Sequence, residues 1–191
     1  MKKIILTIAS ILMIISVNAQ VQKLAGPRVG LTMITAGTTA DFFHNGFDFV
    51  DNNDNQFGET GSALTTQYGW QWESRFADGG GNVTGIVEWV ALVGGMEQGK
   101  FLPSMSSVIG ARTSEGFEVG VGPNLSLSGV GMLFAVGYNF RSGSLNLPVN
   151  LVIMPGKSEN GSYRNDNGDY IDYTYNSGTR ISLMIGFNLA K

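Results

Sequence analysis

The sequence predicts an all-β chain, an eight-stranded antiparallel up-and-down barrel, and three observations predict it. Beyond residue 19 the apolar residues alternate with polar ones, and no segment follows a helical period. The alternating runs cluster near the length of a tilted barrel strand. The connections between runs sort by parity, short ones at even positions and longer ones at odd positions. Composition agrees. Only 14% of the 191 residues are charged, against about 25% in a soluble domain.

Residues 1–19 read as a signal peptide, removed on export through the Sec pathway. Lys2 and Lys3 precede an apolar run over 4–17, which ends in Val17-Asn18-Ala19, the small-residue pattern of a cleavage site. A spanning helix needs roughly 20 apolar residues, and this run is shorter. Residues 20–191 then form one domain. Cys is absent, which excludes disulfides, thiolate metal sites and Cys nucleophiles. A single His excludes any multi-His metal site. Mild acidity, a net charge of −3, argues against nucleic acid, which requires a basic face. No cofactor is expected.

Eight strands follow in order: 27–35, 63–76, 82–94, 103–113, 117–124, 131–140, 145–154 and 179–189. In the second, Leu64, Tyr68, Trp70, Trp72 and Phe76 share a face opposite Gln67, Gln71, Glu73 and Arg75. In the sixth, Met132, Phe134, Val136, Tyr138 and Phe140 oppose Ala135, Gly137 and Asn139. The seventh sets Leu145, Leu147, Val149, Leu151 and Ile153 against Asn146 and Asn150. The eighth sets Ile181, Leu183, Ile185, Phe187 and Leu189 against Arg180, Ser182, Gly186 and Asn188. Pro27 and Pro103 open strands, Pro123 nearly closes one, and Pro155 follows one. Pro148 falls inside the seventh, where it must lose a ladder bond or sit at a bulge. The even connections are 77–81, 114–116 and 141–144. The odd ones are 36–62, 95–102, 125–130 and 155–178.

Which face is inside follows from composition. A water-facing sheet carries Lys and Glu, yet Lys23, Lys100, Lys157 and Lys191 all fall off the strands. The polar face is mostly small and uncharged. Its charges are Arg28, Glu73, Arg75, Glu88, Arg112, Glu118 and Arg180, a mixed set that suits pairing inside a narrow lumen. The apolar face is therefore expected to point outward, toward lipid. Phe76, Phe117, Phe140 and Phe187 fall at one level, with Tyr138 just above, and read as an aromatic girdle at the end that holds both termini.

On this pattern the chain resembles the small eight-stranded outer-membrane β-barrels of Gram-negative bacteria, the class of the OmpX and OmpA transmembrane domains. The resemblance covers nearly all of 20–191 and rests on pattern alone. It implies a transmembrane barrel in the cell outer membrane, with outer-membrane lipid as its surroundings. Such barrels usually end in an aromatic residue. Here Leu189-Ala190-Lys191 follows Phe187, so Phe187-Asn188-Leu189 would have to serve that role.

Candidate chemistry is sparse. Gly94-Gly95-Met96-Glu97-Gln98-Gly99-Lys100 matches most of a phosphate-binding loop, but Phe101, Leu102 and Pro103 stand where a Ser or Thr and a helix are needed. It reads as a hairpin connection. His44, near Thr38, Thr39, Thr60 and Ser62, is the only imidazole that could serve a hydroxyl nucleophile. It carries the alternative of an outer-membrane lipid-modifying enzyme. Asp51, Asn53 and Asp54 offer oxygens of the kind Ca²⁺ takes, but Gln56 and Ser62 break the calcium-loop pattern, so no metal site is assigned. A second alternative is a soluble exported, lipocalin-like barrel around an apolar ligand.

In a closed barrel the first and last strands are neighbours, so 36–62 and 155–178 emerge together. Both are acidic. They carry Phe42, Phe43, Phe47, Phe49, Phe57, Tyr163, Tyr170, Tyr173 and Tyr175. Disordered segments are poor in aromatics, so these rings are expected to form an interaction surface for a surface protein or envelope complex. The expected role is structural or interactive, without enzymatic activity.

Overall fold

The computed structural model describes residues 23–45, 61–78, 81–164 and 168–190. The strands are β1 (Lys23–Ile34), β2 (Ala63–Asp78), β3 (Val83–Gly94), β4 (Leu102–Thr113), β5 (Phe117–Ser126), β6 (Gly129–Ser142), β7 (Leu145–Met154), β8 (Ser158–Arg164), β9 (Tyr170–Asn176), β10 (Arg180–Gly186) and β11 (Asn188–Ala190). Each of β1 to β6 pairs antiparallel with the next. β10 and β11 lie end to end between β7 and β1 and close the cylinder. Counted as one strand, they complete an eight-stranded antiparallel barrel. Closure removes the unpaired edges that an open sheet would expose.

Alternation sets the two faces. Along β1, Val29, Leu31 and Met33 point out, while Arg28, Gly30 and Thr32 are buried inside. Along β2, Trp70 and Trp72 point out and Gln71 and Glu73 in. Trp70, Tyr138 and Ile185 are 43%, 40% and 40% exposed. The apolar face is thus the outer one, as expected. Phe117 pairs with Tyr138, whose ring lies 4.8 Å from that of Phe140. With Phe76 and Phe187 these rings are exposed on the outer face.

Prolines explain where the ladders break. Pro27 lies inside β1 rather than at its start. It accepts from the Phe187 amide at 3.1 Å and has no N–H to return, which splits the last strand into β10 and β11. Pro148 stays in register with Asn139 without a bulge, and the β7 ladder to the last strand lapses between Val149 and Asn146. Pro123 is also interior, and the β4–β5 ladder lapses between Ser106–Asn124 and Ile109–Val121. Two of these prolines follow a glycine that nothing larger could replace. A Cβ on Gly26 would meet Phe187 O at 1.8 Å, and one on Gly122 would meet Ser107 O at 1.8 Å.

Several expectations need correction. β1 starts at Lys23, so one lysine does lie on a strand. β5 and β6 extend toward each other until only Leu127 and Ser128 remain between them, because Gly129 adopts φ 97° and re-enters the ladder opposite Ser126. That odd connection is as short as the even ones, so the parity of loop length holds only for the others. A helix, α1 (Thr38–Asn45), follows β1 where no helical period was expected. At two turns it is too short to be stable alone. It forms because Ala40 and Phe43 bury against Ile34, Ala63 and Leu102 at the barrel mouth. Finally, 155–178 is more than a connection. β8 and β9 form a separate two-stranded hairpin beyond the barrel.

Candidate functional site

The barrel interior is divided by a buried charge layer. Arg112, 1% exposed, donates to both oxygens of Glu73 at 2.5 and 2.6 Å, and through Nε to Glu118. Its Nη2 lies 4.0 Å from Glu88. Arg28 donates to Gln71, to Asn150 Oδ1 at 2.8 Å and to the Pro148 carbonyl at 3.3 Å. Gln71 Nε2 passes the chain to Glu88 at 2.6 Å, and Asn150 Nδ2 passes it to Glu118 at 3.1 Å. The network ties β1, β2, β3, β4, β5 and β7 across the lumen.

It does not gather every charge expected there. Arg28 contacts amide and carbonyl oxygens, and among the described residues it reaches no carboxylate. Arg75 is half-buried beside the β-bulge that precedes Ala77. Arg180 lies at the opposite end, near the mouth, where it donates to Ser128 Oγ at 2.8 Å and Ser126 Oγ at 3.3 Å.

A lid covers the mouth. The last carbonyls of a helix lack partners within it, and Lys100 Nζ satisfies two of them, Phe42 O at 2.5 Å and Phe43 O. The ammonium also stands 5.2 Å from the Phe42 ring centroid. Burial pulls the Lys100 pKa below the ordinary lysine range. Lys100 belongs to the Gly-rich connection, which turns through one 3₁₀ turn, Met96–Gln98, between Gly95 and Gly99, both left-handed. Glu97 fastens that turn to β2 by accepting from Thr66 N at 2.9 Å and Thr66 Oγ1 at 2.6 Å. Desolvation pushes the Glu97 carboxyl up, but hydrogen bonds from Thr66, Thr65 and the backbone outweigh it and hold the group at about 2. The phosphate-loop pattern is therefore a structural latch.

Between lid and charge layer lie two contiguous cavities, of about 210 and 90 Å³. Thr32, Gln67, Ser104 and Arg180 line both. The wall of the deeper one is apolar over most of its area, with Val108, Leu133 and Met154 buried in one cluster and Val152 packed on it. Alternation missed these residues. For Leu133, Val152 and Met154 the signal was the loss of alternation itself, the unbroken apolar stretches 132–136 and 151–154; Val108 lies in no such stretch.

Phe43 faces the barrel, 6% exposed, rather than the outside. Tyr170 is exposed, with the Arg164 guanidinium 5.9 Å from its ring. Tyr163, Tyr173 and Tyr175 lie on β8 and β9, but their side chains are not among the described groups. Phe47, Phe49, Phe57, Asp51, Asn53, Asp54 and the segment 1–19 lie outside the described residues. Among the described residues no cluster of His, Asp or Glu could hold a metal. His44 is exposed, and its Nε2 meets the backbone carbonyl of Ser62 at 3.2 Å rather than a hydroxyl. The bases of the two long connections do meet: Thr35 N donates to Thr179 O at 2.9 Å, and Thr38 Oγ1 to Asn176 O at 3.4 Å.

No family model matches the sequence, and no curated protein matches it.

Proposed function

We propose that the chain, exported after loss of residues 1–19, is an outer-membrane barrel whose lumen is plugged by the Arg112 network. Its role is structural or interactive, exercised through the connections 36–62 and 155–178, and not enzymatic. The observation that carries the reading is the inverted polarity of the sheet. Tryptophans, phenylalanines and aliphatic side chains stand 40% or more exposed on the outside while Arg112, Glu73 and Glu118 are buried within. Apolar exposure on this scale is unfavourable in water and marks a membrane or partner surface. A soluble barrel around an apolar ligand requires the opposite polarity.

Single cysteines at 70, 138 and 185 test the lipid-facing claim, since the chain has no native Cys. In native membranes they should react with a lipid-phase maleimide and resist an aqueous one. The protein should sediment with the outer membrane and migrate faster unheated than boiled. Preferential aqueous labelling of the folded protein, or its recovery in the soluble fraction, would overturn the reading.

A further inference from the structure

The lidded cavity has a composition that neither a plug nor a display scaffold needs. Most of its wall area is apolar, and it holds two guanidiniums: Arg180 at the upper end, and Arg28 at the floor, where it is bonded to Gln71, Asn150 and the Pro148 carbonyl. Among the described residues no carboxylate lies within ion-pair distance of Arg180. Its hydrogen bonds go to the hydroxyls of Ser126 and Ser128. The three lumen glutamates are engaged lower down, by Arg112 and by Gln71.

We propose that this cavity binds a small amphipathic monocarboxylic acid. The carboxylate is held by Arg180, assisted by the hydroxyls of Ser126 and Ser128. A guanidinium fork matches a carboxylate's two oxygens and gains strength where water is sparse. The tail descends along Val108, Leu133, Val152, Met154 and Met184. Arg28 and Glu88 both line the floor; the Arg28 donors are engaged by Gln71, Asn150 and the Pro148 carbonyl, while Glu88 would set two carboxylates together in a poorly solvated space, which disfavours the reverse orientation. Size follows from volume. An apolar cavity of about 150 Å³ accepts benzene, and the two cavities together offer room for an acid of about eight carbons. The site requires the closed barrel alone. It is independent of whether the outer face meets lipid.

Methionines make the test. Met154 and Met184 line the cavity and are buried, whereas Met33, Met105 and Met132 are exposed on the outer face. The full chain, ¹³C-labelled at methionine methyls and folded in a nonionic detergent, is titrated with octanoate and, separately, with 1-octanol. The methyls of Met154 and Met184 should shift saturably with octanoate. Those of Met33, Met105 and Met132 should show at most a small, non-saturating drift from partition into the micelle. Octanol should bind at least tenfold more weakly, and Arg180→Gln should weaken octanoate to the level of octanol. Leu133→Trp should fill the cavity and abolish the saturable shift; if it does not fold, Val152→Phe serves instead. Unmoved interior methyls, equal affinity for octanol, or octanoate binding unchanged by Arg180→Gln would each overturn the proposal. Membrane fractionation tests the outer-membrane reading separately, so the two can fail independently.

Discussion

Arg112 is the residue on which the barrel interior converges. A buried guanidinium that meets two carboxylates at hydrogen-bond distance and a third at 4.0 Å is worth little against an apolar core of the same volume. Its removal is another matter. Arg112→Ala would leave Glu73, Glu88 and Glu118 buried without their shared cation, and such an uncompensated charge costs about 3–5 kcal/mol. We expect the urea midpoint of the folded barrel to fall by a corresponding amount. Glu118→Gln should cost less, because the amide keeps the shape and the Arg112–Glu73 pair remains. If Arg112→Ala unfolds at the wild-type midpoint, the layer is not a buried electrostatic unit. Residue type on a strand identified which charges face inward, because the period is two. It did not identify partners. Pairing depends on register and on reach across the lumen, which is why Arg28 falls to amides and Arg180 to hydroxyls.

At the scale of elements, the 95–101 connection and α1 form one assembly held by Glu97 at one end and Lys100 at the other. Lys100→Met removes the charge and both hydrogen bonds to the end of α1, worth about 0.5–1 kcal/mol for a cation at a helix C-terminus. Amide exchange over residues 41–44 should accelerate by up to about fivefold, while exchange in β1 and β2 stays constant. Unchanged exchange in α1 would show that Phe43 alone holds the lid. Glu97 sets the acid limit of the same assembly. Its carboxyl is held at about 2 against an ordinary 4.5, so its contribution is complete above the ordinary value and is lost as pH falls toward 2. Exchange in α1 should therefore rise over that window. These elements show what was legible. The long strands were, because alternation repeats several times in each and one face must be buried. α1 was not, since Thr-Thr-Ala-Asp-Phe-Phe-His-Asn makes two turns whose stability comes from contacts with distant residues. The β8–β9 hairpin was not, because it pairs only with itself, outside the closed sheet whose alternation was read.

For the whole molecule, closure makes the two long connections neighbours, yet they differ in what they contribute. The first carries α1, which buries Ala40 and Phe43 and roofs the larger cavity. The second carries the β8–β9 hairpin, which pairs only with itself in the sheet topology. The chain enters and leaves that hairpin at one point, since Ser177 N donates to Lys157 O and Lys157 N to Ser177 Oγ, both at 2.9 Å. Joining Lys157 to Ser177 through Asn-Gly, a pair suited to a two-residue turn, would remove 158–176 without straining the barrel. We expect this shortened chain to keep its faster unheated migration and to unfold within about 0.5 kcal/mol of the parent, the usual range for changes away from a core. Replacing 38–60 with a short Gly-Ser linker should behave differently. Ile34, Ala63 and Leu102 lose their cover, stability should fall, and the saturable octanoate shift should weaken as the roof of the larger cavity goes. A surface partner, in contrast, should be lost with either deletion if it spans both connections. If the chain without 158–176 failed to fold, the hairpin would be part of the barrel's own stability, and a display role for that connection would lose its basis.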